Sequence, residues 1–116
     1  MAVKGIGIDV ADIARFRSSK VRRNERFIQT TFSEYERDYC FAFRDCAPHL
    51  AGTFAAKEAV RKVFGDEPLA FSDIEVRHQA SGKPEIWMKG KRSRTVLISI
   101  THNATLAIAV ALNQTP

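Results

Sequence analysis

The stretch "TFAAKEAVRKVFG", Thr53 to Gly65, is the pivot of the chain. Its apolar residues recur at helical spacing, and Pro48 upstream suits the first turn of a helix that runs through it. Gly65 reads as the left-handed residue that closes this helix. Beyond it the period changes from helical to alternating. "DIEVRH" and "PEIWMK" flank "QASGK", a turn built on Gly82, while "TVLISI" and "TLAIAVAL" flank "THNA". Both pairs read as β-hairpins.

Upstream, "SEYE" (Ser33 to Glu36) is a capping box, in which Ser33 bonds an orphan amide and Glu36 reaches back. It starts a helix of about ten residues that should end near Asp45. Arg22 to Thr30 reads as a shorter helix. "AVKGIGIDV" alternates and reads as a strand from Val3 to Val10, with Asp9 at its end. The segment after Asp9 turns helical, with Ile13 and Phe16 on one side. The order is one strand, helices, then four strands. This describes an α+β fold with a mostly antiparallel sheet packed against helices. With 116 residues and no repeat or linker, residues 1–116 are expected to form a single domain.

Apolar residues make up 45% of the chain, which excludes a disordered protein. The net charge is +5, concentrated early. Up to Arg26, the cations Lys4, Arg15, Arg17, Lys20, Arg22, Arg23 and Arg26 face only Asp9, Asp12 and Glu25. Such a patch attracts anions, whether nucleic acid, acidic lipid, a phosphorylated ligand or an acidic protein. Cys40, Cys46 and three scattered histidines do not complete a zinc set. The opening apolar run is too short for a signal peptide, and Leu106 to Leu112 is too short to cross a bilayer. A reduced, cytoplasmic protein without a membrane partner is expected.

On a helical wheel, Phe54, Arg61, Lys62 and Gly65 fall within about 60° of Glu58, and Ala56, Ala59, Val60 and Val63 lie opposite. The ordinary use of Glu58 and Lys62 is an exposed i,i+4 pair contributing about 0.3–0.5 kcal/mol. A functional use needs a second acid, because one carboxylate binds Mg²⁺ poorly. Asp9 is the candidate; its ordinary role would be to cap the following helix. "SITH", Ser99 to His102, offers a histidine and two hydroxyls, which suits either a phosphate or plain turn chemistry.

Taken together, "GIGIDVADIARF", "FAAKEAVRKVFG", "SGKP" and "SITH" resemble the holo-(acyl-carrier-protein) synthase group of 4′-phosphopantetheinyl transferases, from Val3 to about Leu112. The resemblance implies that fold and a transferase of lipid metabolism, in fatty acid biosynthesis. It would move the 4′-phosphopantetheine arm of coenzyme A to a serine of an apo acyl carrier protein. Adenosine 3′,5′-bisphosphate would leave. Asp9 and Glu58 match the family's metal acids, for Mg²⁺ or Mn²⁺. With Lys62 they form the implied catalytic set. Arg61, Lys62, Gly65, Thr101 and His102 match coenzyme contacts. Arg15, Arg17, Arg22 and Arg23 match the segment that docks the acidic carrier. Whether Lys62 or a metal-bound water takes the serine proton stays open. The family's homotrimer, with active sites between subunits, agrees with a chain too small to enclose a roomy cleft alone.

Two departures stand out. Thr53 replaces a basic residue expected to meet phosphate, with Lys4, Arg44 or His49 as substitutes. "GDEP", Gly65 to Pro68, replaces a glycine-rich turn. Two alternatives compete with the transferase. A small basic α+β nucleic-acid-binding module lacks the aromatic strand block or GXXG loop such modules use. An inactive adaptor of the same fold is opposed by the intact Asp9, Glu58, Lys62 and His102 set.

Overall fold

The computed structural model describes residues 2–17 and 21–116; Lys20 of the basic segment lies outside them. Strand β1 (Val3–Asp12) leads through a 3₁₀ turn (Ile13–Phe16) into helices α1 (Arg26–Thr31), α2 (Glu34–Phe41) and α3 (Ala47–Val63). Strands β2 (Ile74–His78), β3 (Pro84–Met88), β4 (Lys91–Arg92), β5 (Val96–His102) and β6 (Leu106–Gln114) follow. They form two antiparallel three-stranded sheets, β1-β6-β5 and β2-β3-β4, which meet where β3 packs beside β5. Helix α3 lies across the first sheet.

Small residues set that contact. On β1 the buried side is Gly7 and Ala11; on β6 it is Ala107, Ala109 and Ala111. They meet Ala55, Ala56, Ala59 and Val60 of α3, all fully buried. The approach is closest at Gly7. A Cβ there would stand 2.1 Å from the Ala59 carbonyl oxygen and 3.1 Å from the Lys62 Cβ. Only glycine lets strand backbone lie on helix backbone in this way. The branched residues point the other way: Ile6, Ile8 and Val10 are exposed, at 66%, 59% and 57%. A second apolar centre lies under the short helices, where Phe16, Phe27, Phe32, Phe54 and Phe71 pack ring against ring.

Both hairpins form as expected, and the "SEYE" capping box closes in both directions. Several expectations change. Helix α2 stops at Phe41, because the chain must reverse into α3 and Arg17 takes the Asp45 carboxylate on the way. The shorter helix starts at Arg26, after a turn closed by Glu25 N–H on the Arg22 carbonyl. Gly65 is not left-handed; among the described residues positive φ is confined to Gly82, Lys89 and Gly90. The last two form the tight turn before β4, a strand the alternation was too short to signal. Strand β1 runs three residues past Asp9, which therefore sits mid-strand opposite Ala109.

Candidate active site

Asp9 shares the α3-facing side of β1 with Gly7, so the close approach at Gly7 brings its carboxylate to the last turns of the helix. Lys62 reaches back over the strand. Its Nζ donates to Asp9 Oδ1 at 3.1 Å and to the Ile8 carbonyl oxygen at 2.9 Å. Asp9 caps nothing: the 3₁₀ turn after it is entered at Asp12, without a side-chain cap bond. Glu58 accepts from Arg61 Nη1 at 3.2 Å, and the Arg61 guanidinium rests 4.7 Å above the Phe71 ring. The expected Glu58–Lys62 pair is thus replaced by two crossed pairs. Glu58, Arg61, Lys62 and Gly65 line one cleft of about 620 Å³, with the chain from Glu67 to Ala70 as its other wall.

Asp9 and Glu58 supply two half-buried carboxylates at this junction. No cluster of three or more His, Cys, Asp or Glu able to hold a metal occurs among the described residues. Two carboxylates are the usual protein contribution to Mg²⁺, which keeps waters and takes phosphate oxygens for the rest of its shell. The donor set therefore fits an oxygen-liganded divalent ion that shares its shell with a phosphate ligand.

His102, at the end of β5, belongs to a second cleft of about 150 Å³. All three histidines line it, His49 from α3 and His78 from β2 completing the set, together with Tyr39 and Thr53. Tyr39 stacks on His78 with ring centroids 3.8 Å apart, and Phe43 stacks on His49 at 3.5 Å. Burial first, then the neighbouring His102, holds His49 below the usual imidazole value. Burial, then His49, does the same for His78. Thr53 is turned inward, its hydroxyl 3.5 Å from Cys40 Sγ, so it contributes no cation here. Of the substitutes considered, His49 is in this cleft, Lys4 lies beside Gly65, and Arg44 lies beside Arg17. Thr101, in register with Ile108, is exposed. The two clefts sit toward opposite ends of α3. His49 and Glu58 are nine positions apart in sequence, a rise of about 14 Å.

Among the basic residues, Arg15 has its guanidinium 5.1 Å from the Phe27 ring and 5.0 Å from the Phe54 ring. Arg17 pairs with Asp45 and Arg23 with Asp38, all exposed; Arg22 is exposed as well.

Sequence reasoning missed the role of Lys57. It is fully buried, its Nζ 2.7 Å from Glu36 Oε1. The second Glu36 oxygen accepts the Val76 amide at 2.7 Å. One carboxylate thus caps α2, neutralises α3 and receives β2. Burial pushes Glu36 up and Lys57 down, and their attraction opposes both shifts. The capping box hinted at Glu36; nothing in the sequence tied it to Lys57.

A fold of two antiparallel sheets braced by one long helix, with an acid on the first strand paired to a lysine of that helix one turn after its glutamate, defines a class. The family model described as the 4′-phosphopantetheinyl transferase superfamily matches residues 5–111, and the chain belongs to that superfamily. The holo-(acyl-carrier-protein) synthase of Chlorobaculum parvum is 39% identical over 113 residues, covering 94% of this chain and 97% of that protein. Its counterpart in Listeria innocua is 38% identical over 112 residues, covering 92% and 94%. Among solved structures, a holo-(acyl-carrier-protein) synthase from Bacillus anthracis in complex with CoA (3′,5′-ADP) superposes with a TM-score of 0.82, at 29% identity and full coverage of both chains. The Helicobacter pylori enzyme in complex with coenzyme A gives 0.78 at 30% identity, covering 94% of this chain and 99% of that one. Within the superfamily the chain falls in the holo-(acyl-carrier-protein) synthase group, a group of transferase enzymes.

Proposed function

We propose that the chain, acting as one domain over residues 1–116, transfers the 4′-phosphopantetheine arm of coenzyme A to a serine hydroxyl of an apo acyl carrier protein. The serine oxygen bonds to the β-phosphorus and gives up its proton to Lys62 or to a water, the pyrophosphate P–O bond breaks, and adenosine 3′,5′-bisphosphate leaves with that bonding pair. The observation that carries this reading is the junction of β1 and α3, where Lys62 bridges to Asp9 beside Glu58 in an open cleft. The coenzyme complexes of the similar Bacillus anthracis and Helicobacter pylori proteins support it.

In this reading Asp9 and Glu58 hold Mg²⁺ or Mn²⁺. The ion would neutralise charge developing on the phosphoryl and leaving groups. Lys62 and Arg61 meet the pyrophosphate, and Gly65 leaves room beside it. Thr101 and His102 bind the coenzyme's far end, with the His49 imidazole beside Thr53 as a hydrogen-bonding partner in the same cleft. The acidic carrier docks on Arg15, whose head lies over the Phe27 and Phe54 rings, and on Arg17, Arg22 and Arg23 around it.

The active form is a homotrimer with shared sites. Its support is the uncovered face of the first sheet. There Ile6, Ile8 and Val10 stand in register with Leu112, Val110 and Ile108, and Leu97 of β5 extends the patch at 51% exposure. An apolar patch of this kind marks an interface. A neighbouring copy could also bring its His102 cleft toward the Glu58–Lys62 cleft, which one protomer holds apart along α3. We assign the reaction to the cytoplasm; among the described residues no helix is long and apolar enough to cross a membrane.

Asp9→Ala and Glu58→Ala test the assignment. Each should lower turnover of coenzyme A and apo carrier by about a hundredfold to a thousandfold, while melting stays close to wild type. Ordinary turnover in either variant removes the metal-site assignment.

A further inference from the structure

The two acids at the β1–α3 junction are not bare. Asp9 holds Lys62 at 3.1 Å and Glu58 holds Arg61 at 3.2 Å, so each carboxylate already carries a cation that a metal would have to displace. In both pairs the acid is the more buried partner: 16% against 54% exposed for Asp9 and Lys62, 27% against 41% for Glu58 and Arg61. The carboxylates are the fixed element, and the cations hang over them from the solvent side.

Formal charge then decides which ligands the site tolerates. The four paired groups sum to zero. A divalent ion alone would bring two uncompensated positive charges onto carboxylates already facing cations. A pyrophosphate alone would bring two negative charges toward cations already satisfied. Only both together keep the balance: the ion takes the acids, and the released Lys62 and Arg61 take the phosphate oxygens. Both side chains line the same 620 Å³ cleft, so neither must leave it to make the exchange. Arg61 also has a resting surface, since its guanidinium already lies over Phe71, whose ring packs on Phe54.

We propose that Lys62 and Arg61 are resident counter-ions that occupy the metal acids until coenzyme arrives, so that divalent ion and coenzyme bind as a coupled pair. This rests on the function proposed above and adds to it a control on ligand order. Lys62 and Arg61 suppress metal binding in the empty protein and support it in the loaded one. Linkage makes the effect reciprocal: the ion tightens coenzyme by the same factor as coenzyme tightens the ion.

The test is Mn²⁺ affinity, read from free Mn²⁺ by electron paramagnetic resonance at low salt, with and without coenzyme A. Mn²⁺ held by coenzyme alone is subtracted. Wild type should bind Mn²⁺ about tenfold more tightly, or better, when coenzyme A is present. Lys62→Met should bind Mn²⁺ alone about tenfold more tightly than wild type and lose most of the coenzyme's enhancement. Arg61→Met should move the same way, and Lys62→Arg, which keeps the charge, should keep the wild-type affinity for Mn²⁺ alone. Both positions are solvent-facing, and a melting curve confirms folding. If Lys62→Met and Arg61→Met bind Mn²⁺ alone no better than wild type while Asp9→Asn weakens it, the counter-ion role is wrong and the metal site stands. If Asp9→Asn binds Mn²⁺ as wild type does, the metal site itself falls, and the counter-ion role with it.

Discussion

Lys57 and Glu58 are neighbours in sequence with opposite environments. Glu58 faces an open cleft, whereas Lys57 is sealed under α2 and β2 with Glu36 as its counter-ion. A buried pair of this kind resists loss of either member, because the survivor is left as an uncompensated charge. Lys57→Met should therefore cost about 3–5 kcal/mol in denaturant unfolding. Glu36→Gln keeps the capping geometry, since glutamine also serves a capping box. The double variant Glu36→Gln/Lys57→Met should be less destabilised than the sum of the two singles. Simple additivity would show that the pair contributes no mutual interaction. At this scale the sequence was only partly legible. The wheel placed Glu58, Arg61 and Lys62 on one side, and they do line one cleft. It could not show that Lys62 would leave Glu58 for Asp9, because that partner lies 53 positions away. Nor could spacing show that His49, His78 and His102 converge, since α3, β2 and β5 meet only in the folded chain.

The hairpins, the capping box and the long helix were readable because each is a local pattern. The contact between β1 and α3 was not, although "GIG" carried its signature. Those glycines serve neither a turn nor a dinucleotide: Gly7 makes the space that lets Asp9 reach the helix. Gly7→Ala would press a methyl against the Ala59 carbonyl, at the upper end of the roughly 1–3 kcal/mol typical of overpacking. It should also displace Asp9 from Lys62 and lower turnover more than its stability loss explains. Gly5→Ala meets the Val63 carbonyl at 3.0 Å and should be milder on both counts. Thermal melting and turnover compared side by side decide it. A Gly7→Ala protein that melts and works as wild type would contradict this account of the strand.

For the whole molecule the first sheet is inverted relative to simple expectation. Alternation in β1 and β6 was plain in the sequence, but it does not say which side faces the core. Small residues went inward because α3 packs at backbone distance; branched ones were left outside. The proposed homotrimer would cover them, and Ile8→Lys should test it. The substitution adds a charge to an exposed position, so the protomer should keep its fold. Light scattering should show loss of the trimer, with turnover lost alongside. A variant that remains trimeric would move the interface elsewhere. The proposed reaction is tested by the intact mass of an apo acyl carrier protein after incubation with this chain, coenzyme A and Mg²⁺. The expected result is a carrier heavier by one phosphopantetheine group, formed only when enzyme and metal are both present. A panel of apo carriers left unmodified with either Mg²⁺ or Mn²⁺ would contradict it.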